Sequence, residues 1–271
     1  SSKDSIVAVL VTHNRPKLLK RAIDGLLKQT FPLKKIVIID NASKIPVNKL
    51  IDKNKLIDIY TFSKNLGGSA GYAQGITKAL KENPTWIWLM DDDAYPTKNS
   101  LKKIIEVKEK FPKKIKIGAL CSSVYEEGRI ASYHQKKYNW HLGTTKIVNL
   151  NVNKKDYTEV DICSFVGLFL NIKTIKEVGL PKKNFFICHD DMEYSLRIKS
   201  YNYSLFLVSS SKIHHSYKQK PTIKGDFGKR HYYEIRNHIL VTKKYSKFKI
   251  LAIILSIFRS LRILRLAKKK I

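Results

Sequence analysis

Short apolar runs separated by polar, glycine- or proline-marked segments divide the first hundred residues. Residues 6–11 read IVAVLV, 36–39 IVII, 57–62 IDIYTF and 86–90 WIWLM. Runs of this length, bounded by turn formers, predict strands of a parallel sheet buried on both faces. Between them the spacing turns helical. Pro16 suits the first turn of a helix that runs to about Lys28. A second helix follows the glycine-rich stretch Asn65–Gly71 and runs to about Leu80. Alternation of strand and helix predicts an α/β fold with a mostly parallel, doubly wound sheet. Ligands of such sheets gather beyond the carboxyl ends of the strands. Those ends carry Thr12–Arg15, Asp40–Asn41 and Asp91–Asp93.

The pattern is less regular further on. Residues 100–111 and 190–200 predict helices, and 117–122, 165–171 and 205–208 predict strands. The polar stretch 123–157, with several aromatics, predicts a hairpin insertion. From Val241 to Ile271 there are ten Lys or Arg and no acidic residue, with an almost wholly apolar run over 250–258. On a helix, Arg259, Arg262 and Arg265 share one face while Ile263, Leu264 and Leu266 continue the other. The expected organisation is one domain over 1–240, with halves 1–98 and 99–240, then a basic amphipathic tail over 241–271. No apolar run reaches the roughly 18 residues needed to cross a bilayer. A basic amphipathic helix can instead lie on an anionic membrane surface.

The 271 residues carry 52 Lys and Arg against 22 Asp and Glu, a formal net charge of +30. Such a surplus favours polyanionic partners or an anionic membrane. No nucleic-acid-binding signature accompanies it, so no nucleic acid is expected as partner. Three cysteines, Cys121, Cys163 and Cys188, lie far apart without a C-x-x-C pair. Neither a disulfide framework nor a zinc site is predicted, which fits a reducing compartment. No secretory leader is expected, because the first strand begins within a few residues of Ser1.

Asp91, Asp92 and Asp93 follow directly on the fourth strand. Three adjacent carboxylates repel unless a cation lies among them. Alternate residues of an extended segment point the same way, so Asp91 and Asp93 can converge on one ion. Hard oxygen ligands suit Mg²⁺ or Mn²⁺, which complete their shell with water and a diphosphate. The glycine stretch lacks the Lys-Ser/Thr that a P-loop requires.

In chain order, VTHNRP (11–16), VIIDNAS (37–43), NLGGSAGYAQG (65–75), WIWLMDDDAYP (86–96), FICHDDMEYSLRI (186–198), SSSKIHHSY (209–217) and HYYEIRN (231–237) resemble the family 2 glycosyltransferases of GT-A fold. The resemblance covers about residues 5–240 and is strongest to the galactofuranosyltransferase and rhamnosyltransferase branch. It implies a Rossmann-like GT-A fold and an inverting enzyme that uses Mn²⁺ or Mg²⁺. Asp91 and Asp93 would hold the ion, with His215, or His214 beside it, completing the shell. Asp92 would lie near the ribose or sugar. Thr12, Asn14, Arg15, Asn41, Asn65, Gly67 and Gly68 would surround the donor. Asp40 would bond the base or cap a turn, and Arg236 would meet a phosphate or anchor a helix. Asp191, with Asp190 second, stands at the place of the family's catalytic base.

The implied partners are a nucleoside-diphosphate sugar and a lipid-linked glycan, met at the cytoplasmic face of the membrane. UDP-galactofuranose is the expected donor and dTDP-rhamnose the alternative. The Gln-x-x-Arg/Gln-Trp signature of processive polymerases is missing, so transfer of one or a few sugars is expected. Oligomeric state has no sequence signal.

Overall fold

The computed structural model describes residues 4–148, 156–216 and 227–268. The predicted strands of the first half are present as β1 (Ile6–Thr12), β2 (Lys35–Asp40), β3 (Ile57–Thr61) and β4 (Trp86–Asp91). β1 pairs in parallel with β2 and β4, and β2 pairs in parallel with β3. Every residue of β1 is buried, as an uninterrupted apolar run in a central strand requires. Ile6, Ala8 and Leu10 face α1 (Pro16–Leu27) in one core cluster, while Val7, Val9 and Val11 face α2 (Gly68–Ala79) in the other. The glycine-rich stretch is a loop only as far as Gly67, because α2 starts at Gly68. Gly71 and Gly75 lie under α2 against the sheet. A Cβ at Gly71 would stand 2.5 Å from Val11 Cγ1, and one at Gly75 2.3 Å from Val9 Cγ1.

The second half begins with β5 (Ala94–Pro96), α3 (Ser100–Glu109), β6 (Ile117–Glu126) and β7 (Arg129–Ile130). Then come β8 (Gln135–Tyr138), β9 (Thr145–Ile147), β10 (Tyr157–Val160), β11 (Ile162–Cys163) and β12 (Leu168–Asn171). α4 (Ile172–Val178), α5 (Asp190–Ser200), β13 (Ser204–His215), α6 (Phe227–Tyr245) and α7 (Lys249–Lys268) complete the described elements. The main sheet runs β10-β13-β6-β12-β4-β1-β2-β3, with β5 beside β13 and β7 beside β6. β12 is antiparallel to both β4 and β6 and joins the two halves into one sheet. The segment predicted as a hairpin insertion contains the β8–β9 hairpin, which β11 extends to a three-stranded sheet. Residues 149–155 of that segment lie outside the described residues.

Two predicted strands are longer than their apolar runs. β6 continues to Glu126. β13 runs twelve residues and ends on His214 and His215, with an irregularity opposite β6 between Val208 and Lys212. Cys121 and Cys163, remote in sequence, meet in the core as free thiols with Sγ atoms 3.0 Å apart.

The division expected at residue 240 falls inside α6. α7 packs back on α6 through Ala252, Ser256 and Ser260, all buried. Ser256 Oγ lies 3.0 Å from Thr242 Oγ1. The opposite face of α7 exposes Ile250, Leu251, Ile254, Ile257, Phe258, Leu261 and Leu264. The arginines do not share one surface: Arg262 and Arg265 are exposed, whereas Arg259 reaches back to Glu234 at 3.2 Å. The Ile263 and Leu266 side chains and residues 269–271 lie outside what is described. Among the described residues, no helix is long and apolar enough to cross a membrane.

Candidate active site

A cleft of about 1200 Å³ opens beyond the carboxyl ends of β1 and β4. Asp91 ends β4, and Asp92 and Asp93 make the turn into β5. Asp91 accepts a hydrogen bond from the Tyr72 hydroxyl of α2. Asp92 is buried. It accepts from Thr12 Oγ1 at 2.7 Å and from the His13 N–H at 3.3 Å, and pairs with Arg15 at 3.0 Å. Asp93 pairs with Arg15 and, at 3.2 Å, with His215 Nε2. Arg15 and His215 thus supply the cationic neighbours that three adjacent carboxylates need.

Asp91, Asp93 and His215 place one ligand atom each within 4.8 Å of one another. Two hard oxygens and an imidazole nitrogen fit Mn²⁺ or Mg²⁺ with room for water and a diphosphate. Burial, then Asp93, pushes the Asp91 carboxyl up to about 6. Burial also acts to raise Asp93, but His215 and Arg15 outweigh it and hold it below the usual carboxylate range. Burial opposes charge on His215, yet Asp93, Glu126 and Asp91 together raise it to about 9. The two adjacent histidines diverge as strand alternation demands: His214 stacks on Tyr95, ring centroids 5.1 Å apart, and only His215 meets the acids.

Glu126 carries no sequence signal. It sits at the end of β6, 89 residues from His215, and β6–β13 pairing brings the two together. Its Oε1 lies 2.7 Å from His215 Nδ1 and 3.5 Å from His134 Nε2, and accepts from the Tyr133 hydroxyl. A carboxylate on one imidazole nitrogen orients the ring and makes the other nitrogen a better ligand.

α5 opens across the cleft. His189 is its N-cap residue at φ 58°, and Phe186 and Cys188 also have positive φ, 62° and 67°. Three non-glycine residues in the left-handed region within four positions store strain, which persists only where the surroundings enforce it. Asn237, fully buried on α6, does so. Its Nδ2 donates to the carbonyls of Phe185, Ile187 and Cys188 at 2.9, 3.0 and 2.8 Å. Arg236 donates to the Asn184 carbonyl and to Asn237 Oδ1. Of its two expected roles the structure displays the anchoring one, and Arg236 does not line the cleft.

Asp190 and Asp191 both line it. Asp190 Oδ2 accepts from Ser69 Oγ at 2.8 Å, and Asp191 Oδ1 from the Met192 N–H at 2.7 Å. Burial, then Asp191, pushes Asp190 up to about 7, and burial raises Asp191 as well. Such a pair can hold and release a proton near neutrality. Glu193, the next acid, is committed to Arg197 at 2.8 Å and Lys182 at 3.0 Å.

The remaining expected donor residues mostly shape loops. Asn41 Oδ1 accepts from the Leu66 N–H and Asn65 Oδ1 from the Gly67 N–H. Asn14 Oδ1 accepts from the Lys44 N–H at 2.7 Å. Gly67, at φ 83°, lies where a Cβ would stand 2.2 Å from the Phe186 carbonyl, so it lets this loop meet the strained turn before α5. Gly68 lines the cleft. Asp40 departs from its expected contact with a base. It is fully buried, and its two oxygens accept from the Ser43 N–H at 2.9 Å and the Val47 N–H at 3.2 Å. The short loop after β2 uses both carboxylate oxygens as its cap.

The family model described as Glycosyl transferase family 2 matches residues 7–172. The chain is 27% identical over 200 residues to "Galactofuranosyltransferase GlfT1" of Mycobacterium tuberculosis (strain ATCC 25618 / H37Rv), covering 72% of this chain and 64% of that protein. It is 25% identical over 195 residues to the protein of the same name in Mycolicibacterium smegmatis, covering 71% and 65%. It therefore spans just under two thirds of the length of these relatives. Among solved structures, GalNAc-T7 with UDP, GalNAc and Mn²⁺ superposes with a TM-score of 0.67 at 16% identity, over 89% of this chain and 48% of that one. S. aureus TarS 1–349 in complex with UDP gives 0.58 at 13% identity, over 91% and 68%. These likenesses show a GT-A fold.

Proposed function

Because the chain belongs to glycosyl transferase family 2, we propose that its cleft moves a sugar from a nucleoside-diphosphate donor to a hydroxyl of a glycan acceptor, with inversion at the anomeric carbon. One observation carries this reading: the Asp91–Asp93–His215 set and the Asp190–Asp191 pair face the same cleft. A divalent ion held by Asp91, Asp93 and His215 would supply Lewis-acid neutralisation of the diphosphate leaving group. The chain's own groups do the rest. Arg15 offers its guanidinium beside the diphosphate. The pocket of about 280 Å³ lined by Asn14, Ser43, Lys44 and Val47 adjoins it and has the size for a base. The acceptor oxygen attacks the anomeric carbon, the bond from that carbon to the diphosphate oxygen breaks, and its electron pair leaves with the diphosphate. The hydroxyl proton passes to Asp191. Asp191 takes this role because Ser69 tethers Asp190.

The similarity to galactofuranosyltransferases supports UDP-galactofuranose over dTDP-rhamnose as donor. The exposed apolar stripe of α7, beside basic residues, supports a peripheral seat on the cytoplasmic face of an anionic membrane and a lipid-linked glycan as acceptor. On this reading residues 1–98 bind the donor, 99–240 serve the acceptor, and the exposed face of α7 meets the membrane. The test is release of nucleoside diphosphate from a donor panel with Mn²⁺, Mg²⁺ or EDTA. Metal-dependent turnover of UDP-galactofuranose, lost in Asp93→Ala and Asp191→Asn, is expected. Turnover indifferent to EDTA and to both substitutions would overturn the assignment.

A further inference from the structure

One wall of the cleft gathers basic groups that the reaction above does not use. Lys136 comes from β8, Arg230 from α6 and Arg259 from α7, all outside the β1–β4 half that holds the donor-side residues, and all line the cleft with His189. Two of their polar atoms are unpartnered. Arg259 Nη1 and His189 Nε2 are buried without a hydrogen bond among the described residues. His238 stands behind His189, ring centroids 5.2 Å apart, and its buried Nδ1 is also unbonded. Lys136 and Arg230 have no ion pair among the described residues; Glu234 lies 3.2 Å from Arg259, and the Asp191 carboxylate is near Lys136. Burial, with Arg259 and Lys136 nearby, keeps both histidines neutral, His238 down at about 3.

Buried polar atoms without partners are rare in folded proteins, and a bound anion is one way to satisfy them. Three cations against the Glu234 and Asp191 carboxylates leave one positive charge, and guanidinium groups bind phosphate in a planar fork. Lys136 is close enough to Asp191 to favour its ionised form, so the site lies beside the proposed base. Next to Arg259 on α7, Phe258 and Ile254 are exposed to solvent. A phosphate held by Arg259 would therefore have an apolar surface at hand for a hydrocarbon chain.

We propose that Lys136, Arg230, Arg259 and His189 form an anion site that binds the phosphoryl group of a phosphate-bearing, lipid-linked acceptor. The inference rests on the transferase reading for the word acceptor, and its test separates the two. Binding of inorganic pyrophosphate and of farnesyl diphosphate would be measured in EDTA, and binding of UDP with Mn²⁺ separately. Wild type, Arg259→Met, Lys136→Met and the exposed control Arg262→Met would be compared, with thermal unfolding to confirm folding. The two site variants should bind both diphosphates at least tenfold more weakly, with UDP·Mn²⁺ unchanged and Arg262→Met like wild type; Arg259→Lys should recover part of the loss. Loss of pyrophosphate binding with farnesyl diphosphate unaffected would remove the lipid source and overturn the proposal. So would diphosphate binding within twofold of wild type in both folded variants, or an equal loss of UDP binding. Absence of UDP·Mn²⁺ binding in wild type, with Arg259-dependent diphosphate binding intact, would sink the transferase reading and leave the anion site standing.

Discussion

Exchange of Glu126 for glutamine separates two effects that the carboxylate has on His215. Its Oε1 lies 2.7 Å from Nδ1, while Nε2 is turned to Asp93 at 3.2 Å. By orienting the ring it favours metal binding, an effect worth roughly 10–100-fold in affinity at such positions. By helping to raise His215 to about 9 it also opposes metal binding, because the ion must displace that proton. Wild-type affinity for Mn²⁺ should therefore rise about tenfold per pH unit from pH 6.5 toward 8.5. In Glu126→Gln only Asp93 and Asp91 still favour the imidazolium, so the rise should be shallower. At pH 6.5 the two losses offset each other and the variant should lie near wild type. At pH 8.5 orientation loss dominates, and the variant should bind roughly 10–100-fold more weakly, about 1.4–2.7 kcal/mol. Mn²⁺ titration by electron paramagnetic resonance at the two pH values reads both quantities. Equal pH slopes in the two proteins, or equal losses at both pH values, would refute the reasoning. Stability of the metal-free protein follows the same sign. A raised histidine contributes fully below pH 6.5 and its contribution is lost as pH rises through about 9, so the wild-type Tm in EDTA should fall more across that window than the variant's.

Asp190→Asn should keep turnover and leave the acid limb of the kcat profile in place, because burial rather than Asp190 raises Asp191; an inactive variant with donor binding intact would make Asp190 the base instead. The same variant should be the more stable protein at pH 8, by up to about 4 kcal/mol and less as water reaches the carboxylate, with the gain gone below pH 4. Asn237→Ala should cost about 1–3 kcal/mol by thermal unfolding and lower kcat with donor affinity kept; an unchanged kcat in the folded variant would remove Asn237 from the positioning of α5. Ile254→Glu with Phe258→Glu should abolish sedimentation with anionic vesicles while the fold persists, since both side chains point to solvent; retained sedimentation would deny α7 this role.

What could be read along the chain and what could not divide by the range of the interaction. Strands β1, β2 and β4 were legible because burial on both faces writes a continuous apolar run, and their polar ends then named Thr12, Arg15 and Asp91–Asp93. Asp190 and Asp191 were legible through their motif at the start of a helix. Glu126 was not, because its meaning arises from β6 lying beside β13, and the strand's apolar run ends before it does. Asn237 gives no signal of its own in the sequence, since its work is done on carbonyls about 50 residues earlier. Asp40 shows an ambiguity of another kind. A carboxylate at a strand end suits either a ligand or a turn, and the Ser43 and Val47 amides settle it for the turn. α7 adds a third kind. A helical wheel ranks residues by apolarity, but close helix packing selected small ones, Ala252, Ser256 and Ser260. The larger apolar side chains were thereby turned outward, and Arg259 was turned toward Glu234 and the cleft instead of joining Arg262 and Arg265 on one cationic face. The basic tail is thus both a wall of the site and an outward apolar surface, a combination that exists only once α7 has packed on α6.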